Sequence, residues 1–306
     1  MTYPSPVNYL LIGKETSWAS GGSAAKDCGI WIRDLSTPHS REPIEVGGLS
    51  AIQTQAVFTG MGQGGLTLRG DFQHGRLLEY VFGSVAHALT SADTKHTFTI
   101  SNTPPSMIAE VGNNLTVDTT QTITGLIAES CEISSELNGL VQLSVDFKGK
   151  IPTTGSTASA AVTSSLTTFP HSYVIATING TQATEVQNMS IRIVKTTQFS
   201  GGLGSVVYQQ GHATSLRIEV SGKLGFAAKT FHDIFVNATS HTIIFDATNG
   251  VSLGSGLREL KITLGSNYWT NFTEIASLGG LTYVEFSGIC TLTEAFSVDN
   301  IAEASW

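Results

Sequence analysis

Strict two-residue alternation constrains this chain more than any other feature. In VQLSVDFK, Val141, Leu143, Val145 and Phe147 fall on one side of an extended backbone. Gln142, Ser144, Asp146 and Lys148 fall on the other. SLRIEVSG sets Leu216, Ile218 and Val220 against Arg217, Glu219 and Ser221. LRELKITLG sets Leu260, Ile262 and Leu264 against Glu259, Lys261 and Thr263, and CEISSEL carries a polar face of Glu132, Ser134 and Glu136. Strands with one wet and one dry face belong to antiparallel sheet, not to a parallel sheet buried on both sides. Two segments turn instead to helical spacing. GRLLEYVFGSV (75–85) aligns Leu77, Leu78, Val81, Phe82 and Val85; GFAAKTFHDIFVN (225–237) aligns Ala227, Phe231, Ile234 and Phe235. Both are short, so packing on a sheet must hold them. The expectation is a mainly β chain with two covering helices.

The alternation is written twice. PTTGSTASAAVTSSLTT (152–168) is a low-complexity stretch of small residues that reads as a linker between 1–151 and 169–306. Before it come GLTLRGDF (65–72), the first helix, KHTFTI (95–100), a long loop, LIAESCEIS (126–134) and GLVQLSVDFKG (139–149). After it come SLRIEVSGKL (215–224), the second helix, SHTIIF (240–245), LRELKITLG (257–265) and GLTYVEFSG (280–288). Val145-Asp146-Phe147 stands against Val284-Glu285-Phe286, His96-Thr97 against His241-Thr242, and SAIQTQAVF (50–58) against NMSIRIVKTTQF (188–199). The shared order predicts a tandem duplication. A single large sandwich with recurrent strand–turn wording is the alternative. Two equivalent halves double the apparent symmetry of a ring, so a trimer would look six-fold.

Composition points toward self-assembly. Charged residues make up only 13% of the chain, with Gly, Ser and Thr in their place, and a weakly charged surface favours association. The net charge of −8 argues against a nucleic-acid binder, which needs Lys and Arg to displace counterions, though it suits a surface that nucleic acid must pass without sticking. Cys28, Cys131 and Cys290 form no CxxC pair, so neither a zinc site nor a disulfide framework is expected; they read as inert thiols made in a reducing compartment. The opening MTYPSPVNYLLIGKETSW lacks a basic, apolar leader, and no run reaches the ~18 apolar residues of a membrane helix.

Catalytic wording fails on context. GMGQGG (60–65) fits G-x-G-x-x-G, but strand text and no helix follows, so a glycine-rich loop or hairpin tip is expected. GVSLG (250–254) fits a nucleophile elbow, yet strand text follows it and no histidine occurs after His241. The eight histidines never form HxH or HExxH. Glu129, Glu132 and Glu136 read as a solvated strand face. No enzyme, metal or cofactor is expected.

YLLIGKETSWAS (9–20), GGLTLRGDFQHGRLLEYVFGS (64–84) and GLVQLSVDFKGK (139–150) together resemble the tail tube (major tail) proteins of long-tailed phages. In that family an IGxETxWG-type phrase is common; here Ala19 stands where Gly is expected. The resemblance implies two tandem β-sandwich or barrel-like tail tube domains, each with a short flanking helix. It implies stacked rings forming a conduit for viral DNA during ejection; the duplication favours trimeric, pseudo-hexameric rings over rings of six. It also implies partners: other copies of the chain, and tape measure, tail terminator and tail tip proteins, with DNA passing unbound and no membrane involved. The protein would be made in the host cytoplasm and reside in the virion tail. Candidate lumen-facing residues are Glu132, Glu136, Asp146, Glu219, Glu259 and Glu285, with Arg217 and Lys261 on the same kinds of face. Candidate inter-ring loops carry Gly60, Gly62 and Gly64, and Gly201, Gly202 and Gly204, together with residues 101–124. The second reading is a β-sandwich carbohydrate-binding or adhesin module using Tyr268, Trp269 and Phe272.

Overall fold

The computed structural model describes residues 8–46, 56–90, 93–113, 119–155, 168–225, 229–253, 256–275 and 283–302. It is mainly β. The chain opens with β1 (Asn8–Lys14), β2 (Ile30–Ser36), β3 (His39–Val46) and β4 (Ala56–Phe72), followed by α1 (Arg76–Phe82). Next come β5 (Gly83–Thr90), β6 (Asp93–Ile100), β7 (Met107–Asn113), β8 (Thr119–Glu136), β9 (Gln142–Gly149) and β10 (Thr153–Gly155). Then follow β11 (Val174–Ile178), β12 (Thr181–Gln182), β13 (Val186–Ser200), β14 (Gln210–Leu224), α2 (Lys229–Val236), β15 (His241–Leu253), β16 (Gly256–Ile275) and β17 (Tyr283–Ala302).

Antiparallel pairing runs β1–β7–β8–β9–β4 in the first part of the chain, with β2 and β3 on the far side of β4. In the second part it runs β11–β15–β16–β17–β14–β13. The two series join where β13 lies along β8, from Asn188 opposite Glu136 to Val194 opposite Ser130. The β5–β6 hairpin pairs with the end of β17. Buried side chains from both parts form one connected core, from Leu10 to Cys290. Its apolar members are the dry positions of the alternation: Leu143, Val145, Ile191, Ile193, Ile218 and Val220 are all buried.

Several expectations change. The segment 101–124 is not a long loop, because Met107–Asn113 is a strand between β1 and β8. With neighbours on both edges and Met107, Ile108 and Ala109 all buried, it shows no alternation to read. Gly60, Gly62 and Gly64 lie inside β4 and not in a loop. Close neighbours leave no room for a side chain: a Cβ on Gly60 or Gly64 would overlap the carbonyl of Glu42 or Lys150, and one on Gly62 the side chain of Ile151. The low-complexity stretch begins as strand β10, paired with β8; residues 156–167 lie outside the described residues. Just beyond it Phe169 is fully buried, with its ring 5.4 Å from that of Phe72.

The internal word matches also move. β15 pairs with β16 and β11, the place that β7 and not β6 holds in the first series, so His96 and His241 are not equivalent. Leu143 lies opposite Gly70 and Phe286 opposite Gly222, each glycine a few residues before its helix. Phe286 therefore answers to Leu143, and the Val-Asp-Phe and Val-Glu-Phe phrases are offset by four residues. The offset is even, so both keep their dry side inward. The partner of β14 is β13 and that of β4 is β2–β3, so 56–58, which opens β4 itself, does not correspond to β13; residues 50–55 lie outside the described residues.

Candidate functional site: one polar face across eight strands

Eight strands follow one another without a break: β2, β4, β9, β8, β13, β14, β17 and β16. Residues directly opposite each other across a strand pair point to the same face. One such row crosses all eight: Trp31, Asp71, Gln142, Ser134, Ser190, Ser221, Ser287 and Asn271. The next row is dry: Ile32, Gly70, Leu143, Ile133, Ile191, Val220, Gly288 and Trp269. The sheet thus presents one continuous polar face and keeps its apolar face inward. A trough of about 410 Å³ runs along the polar face between Glu132, Asn188, Ser221, Asn271 and Glu285.

Five of the six acidic residues expected to line a lumen lie on this face. Glu132 is opposite Arg192, which is opposite Glu219; Glu136 is opposite Asn188, then Lys223, then Glu285; Asp146 is opposite Ser130. Hydroxyls or a cation bind three of them. Ser190 Oγ donates to Glu132 at 2.6 Å, Ser130 Oγ to Asp146 at 2.6 Å, and Arg217 Nε lies 2.8 Å from Glu219. Glu259 is different. It sits on the other half of β16, opposite Thr248 and Ile301, up to about 40 Å along the strand from Asn271. There burial, and then the Asp246 carboxylate, raise its pKa, while Asp246 is raised by burial against the pull of Lys261.

The two glycine-rich segments meet within one chain. Gly62 N–H donates to Val206 O at 3.1 Å, and Gly62 bridges Val207 in parallel. Gly201, Gly202 and Gly204 form the tip of the β13–β14 hairpin, where Leu203 is fully exposed. Trp269 and Phe272, by contrast, are not a free aromatic surface. Trp269 packs 4.7 Å from the Phe286 ring and 4.2 Å from the His241 ring, and Phe272 stacks on Phe235 of α2. Tyr268 alone of the three is exposed.

The GKETSWAS phrase has a structural job that residue chemistry alone did not reveal. β8 bends at Gly125 from the strands around β1 and β7 into the eight-strand sheet, with φ of +69° there. Buried Glu15 accepts from the N–H groups of Gly125 at 3.0 Å, Ala19 at 3.1 Å and Gly21 at 3.2 Å. Trp18 Nε1 donates to Gly125 O at 3.0 Å. The phrase clasps the bend. Ala19 has φ of +53°, the left-handed region that favours glycine, the residue that the resemblance leads one to expect there.

Behind β2, Asp27 accepts from His74 Nε2 at 2.7 Å and pairs with Arg76. Burial alone would raise its carboxyl, but His74 and Arg76 together hold it well below the usual carboxylate range. The three thiols are buried and free. Burial pushes Cys28 up to about 11 and Cys131 to about 12, and raises Cys290, so they stay protonated and inert. Among the described residues no group of three metal-ligating side chains occurs, and no helix is long and apolar enough to cross a membrane.

An extended antiparallel sheet, wet on one face and backed by two short helices, defines a β-structural protein organised around a surface. The chain belongs to the phage tail tube protein family, whose family model matches residues 7–287. It is thus a structural component of a virion tail. A search of curated proteins returned no match.

Proposed function

We propose that the eight-strand sheet is one sector of the wall of a tail tube, with its polar face turned to the bore. The unbroken row from Trp31 to Asn271 carries this reading. Rings of such sectors stack into a conduit for viral DNA. Glu132, Glu136, Asp146, Glu219 and Glu285 give the bore acidic character, which repels phosphate, while small hydroxyls and paired cations leave no strong anion site. Glu259 lies off this wall.

The chain is read as two fused copies of one unit, about 1–151 and 169–306. The support is the matching pairing order, β1–β7–β8–β9–β4–β2 against β11–β15–β16–β17–β14–β13. Three chains then make a pseudo-six-fold ring. Three sectors of eight strands, at ordinary strand spacing and tilt, close a barrel about 50 Å across at the backbone, wide enough for a duplex to pass. The hairpin tip at 201–205, held beside Gly62, reaches the neighbouring ring; tape measure, terminator and tip proteins meet the tube at its ends.

Electron microscopy of the purified protein tests this. Stacked rings with a bore lined by the Glu132 face are expected. A monodisperse monomer at high concentration, or a bore lined by α1 and α2, overturns it.

A further inference from the structure

The junction between the two halves of this chain is a template for the junction between chains. This inference rests on the ring reading above. Inside the chain, β13 adds antiparallel to the edge of β8, with Asn188 opposite Glu136 and Arg192 opposite Glu132. The strand in the place of β8 in the second series is β16. Its pairing with β15 stops at Asn267, so Tyr268–Ile275 pair only with β17 among the described residues. The strand in the place of β13 is β2, which pairs only with β4 among the described residues. The chain thus ends, at either side of its eight-strand sheet, in one half of the junction it contains whole.

Glycines set the register. A Cβ on Gly70 would overlap the carbonyl oxygen of Trp31, and a Cβ on Gly222 that of Asn188. Trp31 therefore holds the place of Asn188, and Ser36 that of Arg192, because Ser36 faces Thr67 as Arg192 faces Glu219. On the other side, Ile133 faces Leu143, which faces Gly70; Phe272 faces Phe286, which faces Gly222. Phe272 therefore holds the place of Ile133, Asn271 that of Glu132 and Ile275 that of Glu136.

We propose that β2 of one copy adds antiparallel to the open edge of β16 of the next, with Trp31 opposite Ile275 and Ser36 opposite Asn271. The bulge between Ile32 and Asp34 absorbs the one-residue difference in span. Trp31 is 65% exposed at the end of an otherwise polar row, and the register gives it an apolar neighbour in Ile275. Joining the two edges also removes the open strand borders that invite uncontrolled pairing.

Disulfide trapping tests the register. Ser36→Cys and Asn271→Cys alter two exposed side chains, and the native thiols are buried. Facing residues on antiparallel strands lie within disulfide reach. Under mild oxidation of assembled protein, the double variant is expected to give covalent multimers ending at a closed ring. Each single variant should give none, and Ser36→Cys with Thr273→Cys far fewer. Tubes in the microscope without a 36–271 crosslink overturn the edge assignment and leave the tube reading standing. Neither tubes nor covalent multimers overturns both.

Discussion

Lys195, on β13, donates through its ε-ammonium to the carbonyl oxygen of Val81 in the last turn of α1. A strand of the second series is thereby tied to the helix of the first. The helix end offers partial negative charge, but the side chain is buried, and burial pulls the amine down to about 8.

A depressed lysine costs stability where it is charged in the folded state and regains it as pH rises. The unfolded chain holds its proton up to about 10.5, so the recovery falls between pH 8 and 10.5. Relative to Lys195→Met, the wild type should gain about 1–3 kcal/mol over that range. Urea unfolding of both proteins at pH 7.5 and 10 measures the difference. Parallel profiles would contradict it.

Glu15 holds three backbone N–H groups around the bend in β8. Glu15→Ala should cost about 2–4 kcal/mol by leaving buried donors unpaired, and Glu15→Gln less, since one amide oxygen remains. Denaturant midpoints of the two variants check the order.

Asp27 is held down by His74 and Arg76, so its contribution is fully present above about pH 4 and is lost as pH falls through its depressed folded value. Asp27→Asn should cost about 2–3 kcal/mol at pH 7, below the value for a fully buried pair because the site is partly hydrated. The gap from wild type should stay level down to pH 5 and close in stronger acid, as acid unfolding curves would reveal.

Glu259 and Asp246 carry raised pKa values, burial being the first cause for each. Groups raised in the folded state penalise it when ionised, and acidification removes that penalty. Glu259→Gln should therefore be the more stable protein at pH 7, by less than about 1 kcal/mol, with the advantage fading toward pH 4. Thermal melts across that range decide it.

The hairpin tip touches β4 through Gly62 and Val206 but carries Leu203 into solvent. Deleting residues 200–205 should leave the circular dichroism and melting of the subunit near wild type, yet stop tube growth. Tubes of normal length from the deletion would remove this hairpin from the inter-ring contact.

Much of the sheet was legible because a strand buried on one face must alternate. Leu143, Val145 and Phe147 point inward and Gln142, Ser144 and Asp146 outward, as the letters require. Five of the six acidic candidates share a face for the same reason. β7 was illegible because both its faces are buried, and β4 was misread at Gly60, Gly62 and Gly64 because glycine there answers close neighbours, backbone at Gly60 and Gly64 and the Ile151 side chain at Gly62, and not a turn. Trp269 and Phe272 looked available because nothing local says that His241 and Phe286 pack on the first and α2 on the second.

By itself the sequence determined which residues are wet and which are dry along the strands buried on one face, and where two helices interrupt them, because those depend on periods of two and 3.6 residues. It determined the clasp phrase too, as a string of letters. Which strands become neighbours was decided only by the tertiary structure. Pairing β13 with β8, placing β7 between β1 and β8, and leaving β2 and the end of β16 at the borders of the sheet among the described residues all depend on backbone hydrogen bonds between residues far apart in the chain, and such bonds leave no local mark on side-chain order.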